Sequence, residues 1–203
     1  MRTRLALAAL LLLAASLPLA AQSNDLGLWV AAAQIGDTSA DGSTIKFDDG
    51  RGFGASLNHF WTDHLSTELG ATALKSDDGG IFVDRQRLFA TGELKMIPIT
   101  ATVQWHFGRH ARFDPYVGGG VAYVLTDDLD SDELSPVIGK VEIDDGIGWT
   151  IGAGATFNFS NRLGIGVDAK YIRFRPDSAP PGGETVRLDL DPLVVSAGVR
   201  LRF

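Results

Sequence analysis

The chain has 203 residues, 45% of them apolar and 21% charged, with 24 glycines, no cysteine and a formal charge of −7. That length fits one domain. Glycines spread along it argue against a helical bundle, because each weakens a helix interior. Absence of cysteine excludes disulfides, thiol catalysis and thiolate metal sites, and an acidic chain with no basic stripe is a poor partner for nucleic acid.

Residues Met1 to Arg4 carry two positive charges, and Leu5 to Leu17 are uninterruptedly apolar. Pro18 follows, then small Ala20 and Ala21, then polar Gln22, Ser23 and Asn24. The order charged, apolar, small is that of a secretory signal. We expect a signal peptide over 1–21, cleaved near Ala21, and a single domain over 22–203. No later segment reaches the roughly 20 apolar residues of a spanning helix. An exported chain of this kind is periplasmic, secreted or an outer-membrane barrel, and strand periodicity separates these fates.

A sheet in lipid must close on itself, because lipid offers no partner to a free backbone group. Its strands alternate apolar and small or polar residues over about 10 positions. The first strand, near Leu26 to Ile35, is apolar on both faces, so its sides are unassigned. Phe53, Ala55 and Leu57 suggest the second. Leu65, Thr67, Leu69, Ala71 and Ala73 then share a face opposite Ser66, Glu68, Gly70 and Thr72. Ile97, Ile99, Ala101, Val103, Trp105 and Phe107 oppose Thr100, Thr102, Gln104 and His106, the clearest alternation in the chain. Val117, Val121, Tyr123 and Leu125 lie opposite Gly118, Gly120, Ala122 and Val124. Trp149 to Phe159, Leu163 to Tyr171 and Leu193 to Phe203 repeat the pattern. Connections alternate between short ones (61–64, 108–112, 160–162) and long ones (36–50, 76–92, 126–146, 175–189). The fold expected is all-β: an eight-stranded antiparallel transmembrane barrel with short periplasmic turns and long extracellular loops. Trp61, Trp105, Phe107, Phe157, Phe159 and Phe203 would form the periplasmic aromatic girdle.

The inward set is then Glu68, Gln104, His106, Asp168, Lys170, Arg200 and Arg202, with Gly118, Gly120, Ala122 and Val124 as a small apolar wall. An eight-stranded interior is just wide enough for side chains to fill, so mixed charges are expected to pair and plug the floor. Pro98 stands inside a strand that otherwise looks central, where a missing N–H breaks a ladder bond. It is either a bulge near the rim or a lateral gate from lumen to lipid.

Four stretches together resemble the OmpW family of small outer-membrane proteins. They are Leu94-Lys95-Met96-Ile97-Pro98 leading into Trp105-His106-Phe107; Phe113-Asp114-Pro115-Tyr116-Val117-Gly118-Gly119-Gly120; Asp168-Ala169-Lys170-Tyr171-Ile172; and Leu190-Asp191-Pro192 through Phe203. The resemblance implies an eight-stranded barrel in the bacterial outer membrane, passing small hydrophobic molecules through a narrow, largely apolar interior, and it favours Pro98 as a gate. It implies lumen contact for Trp149, whose own alternation points it at lipid. Terminal Phe203 resembles the strand signal that outer-membrane barrels present to the barrel assembly machinery. The expected partners are the lipid bilayer, lipopolysaccharide, that machinery and small hydrophobic solutes. No catalytic residue, cofactor or metal is expected: His106 has no serine or cysteine partner in the pattern, and the acidic run from Asp127 to Glu133 lacks the register of a calcium loop. The competing function is a sealed structural or surface-interaction barrel.

Overall fold

The computed structural model describes residues 24–40, 43–77, 79–83, 86–90, 93–127, 142–179, 186–187 and 189–203. The expected signal peptide over 1–21 and the acidic run beyond Asp127 lie outside these residues. The strands in chain order are β1 (Asn24–Gln34), β2 (Thr38–Ala40), β3 (Ser43–Phe47), β4 (Gly50–Phe60), β5 (Leu65–Ser76), β6 (Gly79–Val83), β7 (Gln86–Ala90) and β8 (Leu94–His106). They continue with β9 (Phe113–Thr126), β10 (Glu142–Ile143), β11 (Gly146–Asn158), β12 (Leu163–Arg173), β13 (Asp177–Ala179), β14 (Val186–Arg187) and β15 (Leu193–Arg202).

Eight of them, in the order β1-β15-β12-β11-β9-β8-β5-β4, form a closed antiparallel barrel. Closure is made by the first and last strands, from Asp25↔Arg202 to Gln34↔Leu193. A closed barrel leaves no row of free backbone groups, which is the condition for crossing lipid. Among the described residues no helix is long and apolar enough to do so.

The long connections are not wholly irregular. β2, β3, β6 and β7 form a four-stranded sheet in which the first connection pairs with the second through Ser43↔Val83 to Phe47↔Gly79. A second small sheet joins β10, β13 and β14. Sequence reading left these segments as loops because pieces of two to five residues are too short to show a period.

On every strand whose sides the alternation assigns, the apolar set faces outward. On β1, whose sides were open, Asp25, Trp29, Ala31 and Ala33 are buried inside while Leu26, Leu28 and Val30 face outward. Both faces read as apolar because the inner half of β1 nearest the long loops lines an apolar part of the lumen. The outer surface is a belt of exposed apolar residues, among them Val103, Val121, Ile151, Ile165, Val167 and Val195. At the short-turn end Trp61, Trp105, Phe107, Phe157, Phe159 and Phe203 are all exposed, joined by Phe113. Glycines admit close strands inside: a Cβ on Gly120 would lie 2.0 Å from the carbonyl oxygen of Ala101. Gly120 therefore makes room for the neighbouring backbone.

Candidate functional site

The lumen divides into three storeys. At the short-turn end the floor is polar. Arg202 Nε donates to Asp25 Oδ1 at 3.0 Å, and Arg202 Nη1 to the carbonyl of Arg109 at 3.4 Å. Arg109, from the turn between β8 and β9, stacks its guanidinium 3.9 Å from the Phe60 ring. Burial there lowers its pKa from the ordinary guanidinium value. His106 sits between Asp114 (2.8 Å) and Gln104 (3.3 Å), and Asn58 donates to the same Gln104 oxygen at 3.2 Å. His59 Nδ1 lies 2.9 Å from Asn24 Oδ1. Outside the floor, the hydrogen bond from His110 holds the Asp63 carboxyl below its ordinary value.

The waist holds four charges on three strands. Glu68 of β5 receives Lys170 at 3.0 Å and Arg200 at 3.4 Å; Lys170 also reaches Asp168 at 3.0 Å. Tyr116 donates to Asp168 at 2.9 Å and accepts from Arg200 at 3.1 Å. Arg200 also lies 5.3 Å from the Trp29 ring, whose Nε1 donates to Ser56 at 3.0 Å. Two carboxylates face two cations, so the cluster is neutral and its charges are satisfied by one another, as burial demands. Cavities of about 20 Å³ above the cluster and 10 Å³ beside it hold little more than a water molecule each.

The storey nearest the long loops is apolar. Ala31, Ala33, Leu74, Leu94, Met96, Ala122, Val124, Ile172 and Val194 line it, and Ile35, Ile143, Phe174 and Leu190 fill its mouth. Asp191 holds that stopper. In a left-handed backbone conformation (φ 26°), it accepts the Phe174 amide at 2.9 Å and the Tyr171 hydroxyl at 3.1 Å.

Pro98 faces inward and lines the 20 Å³ cavity with Thr72, Ile172 and Val194. Beside it the ladder between β5 and β8 runs without a gap from Leu65↔Trp105 to Ala71↔Ile99, then resumes only at Leu74↔Met96. The pairing on the other side, β8 with β9, continues through Pro98↔Val124. On the outer wall a groove of about 550 Å³ runs along Phe53, Ala73, Leu74, Met96, Ile97 and Leu125. Leu74 and Met96 line both this groove and the apolar storey.

The structure thus gathers Glu68, Asp168, Lys170 and Arg200 into one cluster, Gln104 and His106 into the floor, Arg202 into a separate pair with Asp25, and Ala122 and Val124 into the apolar storey. Gly118 lines the smaller cavity. Phe203 closes the barrel seam, exchanging backbone hydrogen bonds with Asn24 at 2.9 and 3.1 Å. Trp149 departs from what the resemblance implies: it faces outward, its ring 5.8 Å from that of Tyr171, because residues 149, 151 and 153 share the outer face of β11. Sequence reading missed Trp29, Asp25, Asp114, Tyr116 and Arg109. Tyr116 and Asp114 continue the inward register of Gly118 and Gly120, so the period carried that signal. Arg109 lies in a turn, where no period exists.

The family model described as outer membrane protein beta-barrel domain matches residues 7–203. Outer-membrane protein y4mB of Sinorhizobium fredii is 26% identical over 80% of this chain and 70% of its own length. Outer membrane protein AlkL of Ectopseudomonas oleovorans is 28% identical over 52% of this chain, a match spanning 46% of AlkL. The crystal structure of OprG from Pseudomonas aeruginosa superposes with a TM-score of 0.78 at 18% identity, covering 90% of this chain and 96% of that one, a likeness of fold. Closed eight-stranded topology, an apolar outer belt and these matches agree: the chain is an eight-stranded barrel of the bacterial outer membrane and belongs to the outer membrane protein β-barrel domain family.

Proposed function

We propose that the barrel is a passive conduit for small hydrophobic molecules, which pass from the long-loop end into the apolar storey and leave sideways into the membrane beside Pro98. The observation that carries this reading is the interrupted ladder between β5 and β8, with apolar surface on both sides of the gap. The neutral but fully charged waist opposes straight passage, because an apolar solute cannot replace the partners of buried ions. A conduit of this kind needs no catalytic group or cofactor, and the reading assigns none.

The test is uptake of a fluorescent hydrophobic solute into liposomes holding the purified barrel. Wild type should load faster than empty liposomes, and Pro98→Ala, which restores the missing N–H, should load at or near the empty rate. Faster loading unaffected by Pro98→Ala would refute the lateral route. No gain over empty liposomes would favour a sealed structural or surface-interaction barrel, a second reading that draws support from the packing of Phe174 and Leu190 into the mouth.

A further inference from the structure

The outer wall around the Pro98 gap differs from the rest of the apolar belt. Register places Arg51, Lys75 and Lys95 side by side across β4, β5 and β8, through Arg51↔Lys75 and Lys75↔Lys95. All three are exposed on the outer face. Two residues nearer the barrel middle, roughly 7 Å along the strands, lies an apolar tier. Val30 pairs with Phe53, Phe53 with Ala73, and Ile97 with Leu125. Ala73 is the small member between Phe53 and Ile97, and its missing bulk forms the floor of the groove of about 550 Å³.

Height fixes what this pattern meets. Along β8, Lys95 and the girdle residue Phe107 are twelve positions apart, which at the usual rise and tilt is roughly 30 Å. That is about the thickness of the hydrocarbon layer. The three cations therefore stand where acyl chains give way to head groups, on the side of the long loops. A purely apolar occupant would gain nothing from them. An amphiphile with an acidic head and an acyl chain satisfies both tiers at once.

The two lysines already bind carboxylates. Glu93 bridges them, Oε2 at 2.6 Å from Lys75 Nζ and Oε1 at 2.5 Å from Lys95 Nζ, and Asp77 lies 3.1 Å from Lys75. Asp127 lines the same groove. These three carboxylates compete with an incoming anion, so the head group must bind each cation better than a carboxylate does. A phosphate does so, having more charge and more acceptor oxygens, and Arg51 adds a fork suited to it.

We propose that this wall is a binding site for a phosphorylated, acylated lipid of the outer leaflet, of the lipid A class, with phosphate on Arg51, Lys75 and Lys95 and one acyl chain along Ala73. Its chain would then cover the outer side of the Pro98 gap; only that consequence rests on the proposed conduit.

Native mass spectrometry of the purified barrel in detergent tests the site without any transport. The probes are bisphosphorylated lipid A, the same lipid without phosphate, and palmitate. Lipid A should bind the wild type and bind at least tenfold more weakly to the Arg51→Ala/Lys75→Ala/Lys95→Ala variant and to Ala73→Phe, which fills the groove. Glu93→Gln, which removes the competitor, should bind more tightly. Arg112→Ala/Arg162→Ala, at the opposite end, and Pro98→Ala should bind as wild type. Folding of each variant is checked by its heat-dependent gel mobility. Equal binding of phosphorylated and phosphate-free lipid, or no loss in the triple variant, would overturn the proposal. Displacement of lipid A by equimolar palmitate would overturn it too, reassigning the groove to a carboxylate solute. Loss of solute uptake in Pro98→Ala with lipid binding intact would leave the site standing apart from the conduit.

Discussion

Replacing Glu68 by Gln asks whether the waist is a charge network or merely a set of polar residues. Glu68 is fully buried and meets two cations, Lys170 at 3.0 Å and Arg200 at 3.4 Å. Glutamine keeps the size and one acceptor but removes the charge, leaving two cations against Asp168 alone. Breaking a buried pair from one side costs about 3–5 kcal/mol. Lys170 keeps Asp168 at 3.0 Å and Arg200 keeps the Tyr116 hydroxyl at 3.1 Å, so the lower end, about 3 kcal/mol, is expected. The double variant Glu68→Gln/Arg200→Met removes both members and restores neutrality, so it should recover more than half of that loss. Urea unfolding of the barrel in lipid vesicles, followed by tryptophan fluorescence and gel mobility, gives the four stabilities of a double-mutant cycle. A Glu68→Gln protein within about 0.5 kcal/mol of wild type, the size of an ordinary surface change, or single losses that simply add in the double variant, would refute the network.

Phe174→Ala removes the largest stopper of the mouth and should speed solute loading into liposomes if the apolar storey is the route; an unchanged rate would place the route elsewhere. Ala101 faces outward midway along β8, so Ala101→Arg should cost about 2–4 kcal/mol in vesicles, the midplane value for arginine on a barrel, whereas Lys95→Arg at the rim should be neutral in the same urea titration. Asp63 titrates below its ordinary value because of His110; its contribution to stability is therefore present above the unfolded carboxyl pKa and lost as pH falls through the lower folded one. His110→Ala should raise the Asp63 titration midpoint, read by carboxyl carbon chemical shift, and weaken that pH dependence.

How much of this was legible beforehand depended on period. On β8 and β15 strict alternation separated Gln104, His106, Arg200 and Arg202 from the outer belt, because lipid on one side and charges on the other impose opposite chemistry. On β1 the same rule failed: Ala31 and Ala33 face an apolar storey while Val30 faces lipid, and two apolar surroundings leave no contrast to read. That is why Trp29, which stands against Arg200 in the waist, was not placed. Pairings across the lumen were illegible for another reason. Glu68 and Arg200 are 132 positions apart and meet only because the barrel closes on itself. Asp191, in contrast, was visible as part of Leu190-Asp191-Pro192, but its role in holding Phe174 through a left-handed backbone could not be seen without coordinates.

The three storeys follow from one constraint. Eight strands leave an interior that side chains fill, so anything passing must displace what is already there. Displacing the waist would strand Glu68 and Arg200 without partners, at a cost of several kcal/mol for each buried charge. Displacing Leu74 or Met96 exchanges one apolar contact for another and breaks no polar bond. For the proposed conduit, resistance to an apolar solute is therefore lowest sideways, where the ladder is interrupted beside Leu74 and Met96. Pro98 does not need to pull two strands apart. It withholds one N–H at the height where the lumen is apolar, so that both sides of the gap offer a solute the same chemistry. A proline four positions nearer the girdle, at Thr102, would open the same ladder onto the charged waist and give no such path, and Pro98→Ala/Thr102→Pro should accordingly fail to restore loading that Pro98→Ala has lost.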